Sequence, residues 1–291
     1  MVQLLTTRRM AEFVRDGLLE LPAVIDADLN AAAIEEMKSR HRGTAAMTSP
    51  ATLTPLTDCY PEPSALGRVL RQPQVAGAIQ SLLGPGSVFD HDFTHFLPAG
   101  STYTQQLHMD AKQDSEAPSF DIQLFYYPHD IAPGEGGTRF VPGTHLRQVH
   151  AGEVGRYQHV LGERFFHGPA GTVVVAHHGI WHAGQPNPSP RPRFMHKFRL
   201  NPTVPQVRHW DLSDFDDIHN DPIDHMSATM RDDTAATMFR HRHEWMTLSA
   251  SRIETVQRAR LWRYLTGDDA YDVDYYLGRI ERRDALVGDD A

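Results

Sequence analysis

The sequence predicts a mainly β domain, a sandwich or barrel, carrying helical additions at both ends. Three observations support this. Between Val88 and about Leu200, short runs rich in β-branched and aromatic residues alternate with Gly and Pro punctuation. Ahead of them, residues 10–87 carry helix signals around one short apolar run. Beyond Pro205 the pattern turns helical again. At 291 residues, without an internal repeat or a low-complexity linker, the chain reads as a single domain. Its parts are an N-terminal segment over 10–87, a β core over 88–204, and an acidic loop with C-terminal helices over 205–291.

The elements follow in order. Ala11–Asp16 is a helix that stops at Gly17, and the apolar Leu18–Ile25 is a strand. Asp26 and Asp28 supply capping carboxylates for an alanine-rich helix through Lys38. A third helix spans about Ser64 to Leu83, closed by Gly84-Pro85-Gly86. The clearest strands are Phe120–Tyr127, Gly137–Val141, Gly171–Ala176 and Arg193–Leu200. Asp211–His225 is a loop with six aspartates and two histidines, read as a solvated loop or active-site lid in preference to a second metal site. Met226–Leu248, Ser249–Leu265 and Asp272–Arg283 are helices, with a break at Gly267-Asp268-Asp269.

Composition narrows the function. The formal charge of −9 argues against nucleic acid and against an anionic membrane, both of which reward clustered Lys and Arg. Arg240-His241-Arg242-His243 is read as a solvated helix face. The single cysteine, Cys59, excludes an internal disulfide framework and suits a reducing cytoplasm. Met1–Arg9 has no apolar run of the signal-peptide kind, and nothing later approaches a membrane span.

The chemistry lies in three places. In an extended chain the side chains of His108 and Asp110 point to one face, so an imidazole and a carboxylate can bind one divalent metal. His182 follows the apolar strand ending at Ala176 and completes a two-His-one-carboxylate set, which leaves three positions open on an octahedral iron. A closed zinc site would want a fourth protein ligand, usually Cys. Arg193, eleven positions after His182, offers two parallel charge-assisted hydrogen bonds to a carboxylate in a partly buried pocket. His177 and His178 are read as structural or pocket-lining, and His145 as a turn-stabilising donor. Phe96, Tyr103, Phe125 and Tyr127 fit a pocket, but aromatic residues on barrel strands more often fill cores. Lys112 is within reach of a substrate, with a solvated lysine the simpler reading.

These motifs resemble the phytanoyl-CoA dioxygenase family of Fe(II)- and 2-oxoglutarate-dependent oxygenases. The resemblance rests on His108-x-Asp110, on Gly136–His145, on His182 followed by Asn187 and Arg193, and on the opening Phe13–Leu21, and it spans roughly residues 10–200. It implies a double-stranded β-helix, the jelly-roll or cupin-like core, with iron on His108, Asp110 and His182. It implies that Arg193 holds the distal carboxylate of 2-oxoglutarate, with Thr138 and Gln105 also touching this co-substrate. The activity implied is O2-dependent oxidation of a small molecule, usually hydroxylation, with release of succinate and CO2. Related halogenases replace the carboxylate ligand by a small residue, so Asp110 argues against halogenation.

Desaturation, epoxidation or rearrangement at the same site are the nearest alternatives. More distant ones are a metal-free jelly-roll binding protein and a metalloenzyme that dispenses with 2-oxoglutarate. No basic cluster near the motifs suits a CoA phosphate, so a free secondary-metabolite intermediate is the first expectation and a modified amino acid the second. The C-terminal helices are expected to form a lid or a homodimer interface.

Overall fold

The computed structural model describes residues 1–41, 49–110, 118–147, 149–219 and 234–271. Thr6 caps the first helix, α1 (Thr7–Asp16), by accepting from the Arg9 N–H, and Gly17 ends it at φ 77° with its N–H on the Phe13 carbonyl. Strand β1 (Leu18–Leu21) follows at once. In α2 (Ala27–His41), Leu29, Ala33, Glu36 and Met37 share the buried face, the spacing of an amphipathic helix.

The helix expected over Ser64–Leu83 is two helices, α3 (Ala65–Leu70) and α4 (Pro73–Leu83). Pro73 causes the break: it cannot donate a backbone hydrogen bond and it disfavours the helical conformation at Gln72, so it opens a new helix. Glu36 joins α2 to α3. Its carboxylate accepts from the Ala65 N–H at 2.6 Å, the Leu66 N–H at 3.2 Å and the Ser64 hydroxyl at 2.9 Å, all buried.

The β core comprises β2 (Val88–Leu97), β3 (Ile122–Tyr127), β4 (Thr138–Val141), β5 (Arg164–Phe165), β6 (Thr172–His177), β7 (Trp181–Gly184) and β8 (Arg193–Asn201). A one-turn 3-10 helix (Thr144–Leu146) and the short α5 (Ala151–Val154) follow β4. Two antiparallel sheets form, a larger one in the order β1-β6-β3-β8-β2 and a smaller one in the order β5-β4-β7. They face each other: Phe125 of β3 meets Phe140 of β4 edge-on at 5.1 Å, in a cluster with Leu18, Val174, Ala176 and Phe166. This is the jelly-roll core.

Alternation along the strands assigns the two faces of the larger sheet. Ile122, Leu124, Val173, Val175, Phe198 and Leu200 join α1–α4 in the main core. Tyr127, Val174 and Ala176 turn instead toward the smaller sheet, with Met195 packed against them. The helices therefore back one face of the larger sheet and leave the space between the sheets for the site.

Beyond Pro205, α6 (Phe215–His219) lies within the expected acidic loop, and Asp214 accepts from the backbone N–H groups of Thr7 and Arg8 at the start of α1. The helix expected over Met226–Leu248 is only α7 (Ala235–Phe239) among the described residues, since 240–247 are not helical. Arg240-His241-Arg242-His243 is accordingly not a helix face, although His241 and Arg242 are exposed as expected. His243 is buried, 3.5 Å from Asp16, and backs onto Gly143. The last described helix, α8 (Leu248–Thr266), buries Trp262 against Trp210 and Phe239 and ends at Gly267, φ 60°. The helix expected over Asp272–Arg283 lies outside the described residues. No described helix is long and apolar enough to cross a membrane.

Removing the Glu36 carboxylate strands buried N–H groups at the start of α3. Glu36→Ala is expected to lower unfolding stability by about 2–4 kcal/mol, read as a reduced urea midpoint with an unchanged m-value; a midpoint within error of wild type would refute this capping role.

Candidate active site

The smaller sheet is extended by the chain between Ser101 and His108. His108 and His182 exchange both backbone hydrogen bonds, at 3.0 and 2.9 Å, the Gln105 N–H donates to the Gly184 carbonyl, and the Asn187 N–H to that of Ser101. Such a pair puts the two side chains on the same face, and the imidazole centroids lie 4.4 Å apart. His182 pairs onward with Phe140, and Gly184 with Thr138, so Thr138 faces the same cavity one row along.

His108, Asp110 and His182 converge as the sequence predicts, each offering one ligand atom, all within 4.8 Å of one another. The His108 Nε2 lies 3.5 Å from one Asp110 carboxylate oxygen, and the His182 Nε2 lies 3.4 Å from the other. The Nδ1–H of His108 donates to the Gln106 carbonyl at 2.9 Å and that of His182 to the Ile180 carbonyl at 3.1 Å. A carbonyl can only accept, so each Nδ1 carries the proton and each Nε2 of the neutral ring presents its lone pair to the shared point. Burial and the neighbouring His182 hold the pKa of His108 below its ordinary value. Burial works to raise that of Asp110, but the neighbouring His182 and the Lys197 ammonium outweigh it and keep the carboxylate ionised. This is a donor set for a hard or borderline divalent ion, with no fourth protein ligand among the described residues.

One cavity joins these residues to the others expected. It is lined by His108, His182, Gln105, Thr138 and Arg193, together with His95, Phe96, Tyr103, Phe125, Tyr127, Met195 and Lys197. Arg193 is 9% exposed; one guanidinium nitrogen donates to the Gly136 carbonyl, and the other, Nη1, is buried with no hydrogen-bond partner among the described residues. Burial pulls its pKa down, a cost that an anion in the cavity would relieve. Tyr127 donates its hydroxyl to Thr138 Oγ1 at 2.7 Å, which leaves the Thr138 O–H as a donor. Gln105 Oε1 accepts from the Gly184 N–H at 2.8 Å, so its amide nitrogen is the end available to a ligand.

The glycines of Gly136-Gly137 are required by close approach. A Cβ at Gly136 would sit 1.4 Å from the Pro186 carbonyl oxygen, and one at Gly137 would sit 1.9 Å from that of Phe166.

Two parts of the sequence reading change. Phe96 and Tyr103, weighed as core, line the cavity, and Tyr103 is exposed. Lys197 was missed: its Nζ lies 2.6 Å from Asp110 Oδ2. Strand alternation carried the signal, because Lys197 shares its face of β8 with Arg193. Lys112 lies outside the described residues. The described C-terminal residues line no part of the cavity.

His177 and His178 do not join the metal set. Buried His177 stacks on Phe120 at 4.9 Å and accepts from the Gly179 N–H, while His178 Nδ1 accepts from the Asp121 N–H at 3.0 Å. His145 does more than brace a turn. Its Nε2–H donates to the Val14 carbonyl at 3.1 Å, tying the 3-10 helix to α1.

The sequence matches the phytanoyl-CoA dioxygenase (PhyH) family model over residues 13–195. The chain belongs to this family. It is with that family a non-haem oxygenase dependent on iron and 2-oxoglutarate, and so an oxidoreductase. No protein of curated function matches it in sequence. Solved structures share its fold. The epimerase SnoN, crystallised with Fe3+, α-ketoglutarate and nogalamycin RO, is 18% identical, covers 67% of this chain and 82% of its own, and superposes with a TM-score of 0.52. EctD from S. alaskensis is 19% identical over 68% of this chain and 77% of its own, TM-score 0.51. The carbocyclase SnoK of nogalamycin biosynthesis is 19% identical over 68% and 84%, TM-score 0.51.

The buried histidines make stability depend on pH. Burial and the Arg258 guanidinium lower the pKa of His145 to about 3, with His243 opposing and Asp16 favouring its charge, and burial and Arg258 lower that of His243 to about 4. Both stay neutral in the folded chain where the unfolded chain takes up protons. Their contribution is therefore complete above about pH 6.5 and is lost as pH falls toward 4, by at most about 1.4 kcal/mol per pH unit for each. Urea unfolding at pH 7 and pH 5 should show this loss, with a shallower dependence in His145→Gln; an unchanged slope in the variant would remove His145 from the account.

Proposed function

We propose that the chain hydroxylates a small molecule, an intermediate of secondary metabolism, using Fe(II) held by His108, Asp110 and His182 and 2-oxoglutarate anchored by Arg193. The observation that carries this reading is the buried Nη1 of Arg193, unpartnered among the described residues, in the same cavity as the two imidazoles whose ligand atoms lie within 4.8 Å of the Asp110 carboxylate and of each other. A guanidinium in that state is a fitted receptor for a carboxylate, and three ligands leave an octahedral ion open for a chelating co-substrate.

Each residue then has one task. The histidines present Nε2, with the Gln106 and Ile180 carbonyls fixing their tautomers. Asp110 supplies one negative charge against the dication. Arg193 orients 2-oxoglutarate through its distal carboxylate, and the hydroxyl of Thr138 and the amide of Gln105 support it from the smaller sheet. Phe125 and Phe140 close the space behind His182, with ring centroids 5.2 and 6.2 Å from its own, and so exclude water from the inner side. Bound there, iron, 2-oxoglutarate and O2 would supply the oxidising chemistry, with one oxygen atom going to the substrate, the other to succinate, and CO2 released.

Anaerobic addition of Fe(II) and 2-oxoglutarate should produce the weak visible charge-transfer band of the chelate, and Asp110→Ala should abolish it. Without that band in the wild-type protein the reading fails. Arg193→Ala is expected to weaken 2-oxoglutarate binding about a hundredfold, the loss of two charge-assisted hydrogen bonds. Wild-type affinity in that variant, measured by titrating the band, would disprove the role given to Arg193.

A further inference from the structure

We propose that Lys197 determines specificity in this cavity by binding a carboxylate on the substrate, so that the substrate is an organic acid with an apolar body. This inference rests on the function proposed above and names its substrate class.

Lys197 follows Arg193 and Met195 along one face of β8, and all three line the cavity. Its side chain is 12% exposed, and its Nζ stands 5.9 Å from the centre of the Phe125 ring. An ammonium group has three donors, and Asp110 Oδ2 at 2.6 Å is its one acceptor among the described residues. Two N–H groups are therefore left for a ligand.

The charge balance indicates which ligand. A dication on one carboxylate leaves a single positive charge, and dianionic 2-oxoglutarate turns that to one negative. The two cationic side chains on the wall, Arg193 and Lys197, bring the loaded cavity to one positive charge. Asp110 would then be shared with the metal, so the half-buried ammonium would lose most of its compensation, and a monoanion would restore it. A carboxylate monoanion would bring the loaded cavity to neutrality, whereas a phosphate dianion would leave it one negative charge in excess. Beside Lys197 the wall is Phe96, Phe125 and Met195, with Tyr103 exposed, which suits an apolar or aromatic body and not a sugar.

The experiment compares matched acids and amides on the loaded protein. The protein is held anaerobic with Fe(II) and 2-oxoglutarate and titrated with 3-phenylpropanoate, indole-3-acetate and decanoate, and with the primary amide of each. Binding is read by calorimetry and by the change in the charge-transfer band. In the wild-type protein at least one acid should bind about tenfold or more tighter than its amide, as one charge-assisted contact gives. Lys197→Met should bring that ratio close to one, Lys197→Arg should keep most of it, and melting curves check that both variants fold. Acids bound no better than amides by the wild type, or not bound, overturn the proposal. So does a ratio that survives Lys197→Met; a simultaneous weakening of Fe(II) binding would then make Lys197 a positioning residue for Asp110. Failure of the band to form in the wild type marks instead the failure of the proposed function.

Discussion

The site depends on the two backbone hydrogen bonds between His108 and His182, which join the chain leading to Asp110 onto the edge of the smaller sheet. Antiparallel pairing leaves no freedom in which face the two imidazoles share, and the ring Nδ1 contacts leave none in their tautomer. Asp110 then has to enter between them, because it follows His108 by two residues. The same edge sets the row carrying Gln105 and Thr138, since both bond to or pair with Gly184. A chain that lost this bridge would keep its strands and lose the convergence of its ligands.

The larger sheet supplies the opposite wall through one strand with two surfaces. On one surface of β8, Phe194, Phe198 and Leu200 fix the strand to the helical layer; on the other, Arg193, Met195 and Lys197 line the cavity. Burial of the apolar side pins the register, since a slip of one residue would send Arg193 and Lys197 into the helical core. The packing that stabilises the fold therefore also places the two cations of the site.

How much of this is legible in the sequence depends on the range of the interaction that decides it. His108-x-Asp110 and the arginine eleven residues after His182 are short-range patterns on strands, and strand geometry fixes what they do. The face carrying Lys197 was legible too, through alternation from Arg193, although its contact with Asp110 was not: that contact spans 87 residues and exists only once β8 faces the chain leading out of His108. Pro73 is a local signal for the break between α3 and α4. The chain after Pro205 is the least legible part, and the reason is physical. His243 is buried by Asp16 and Gly143, and Asp214 is placed by the first turn of α1, all far away in sequence. In a histidine-rich run that looks solvated by composition, His241 and Arg242 are exposed but His243 is part of the packing, and the neutrality of His243 is a consequence of that burial.

The cavity holds polar groups that the folded chain alone does not satisfy. Arg193 has a buried donor without an acceptor among the described residues, and an N–H facing no partner in a low-dielectric site lowers stability by about 1–3 kcal/mol. The Gly136 carbonyl holds one side of the guanidinium, on a backbone that packs too closely against Pro186 for any side chain at Gly136, while the other side stays open. Holding one nitrogen fixes the plane of the group, so less rotational freedom is lost when a carboxylate meets the second. Lys197 differs: Asp110 neutralises it in the chain alone, and its charge would be uncovered only as that carboxylate turned to a metal. On the proposed function one cation is thus preset for its partner while the other would become available on loading, an order in which metal and co-substrate would precede the acid that Lys197 would receive.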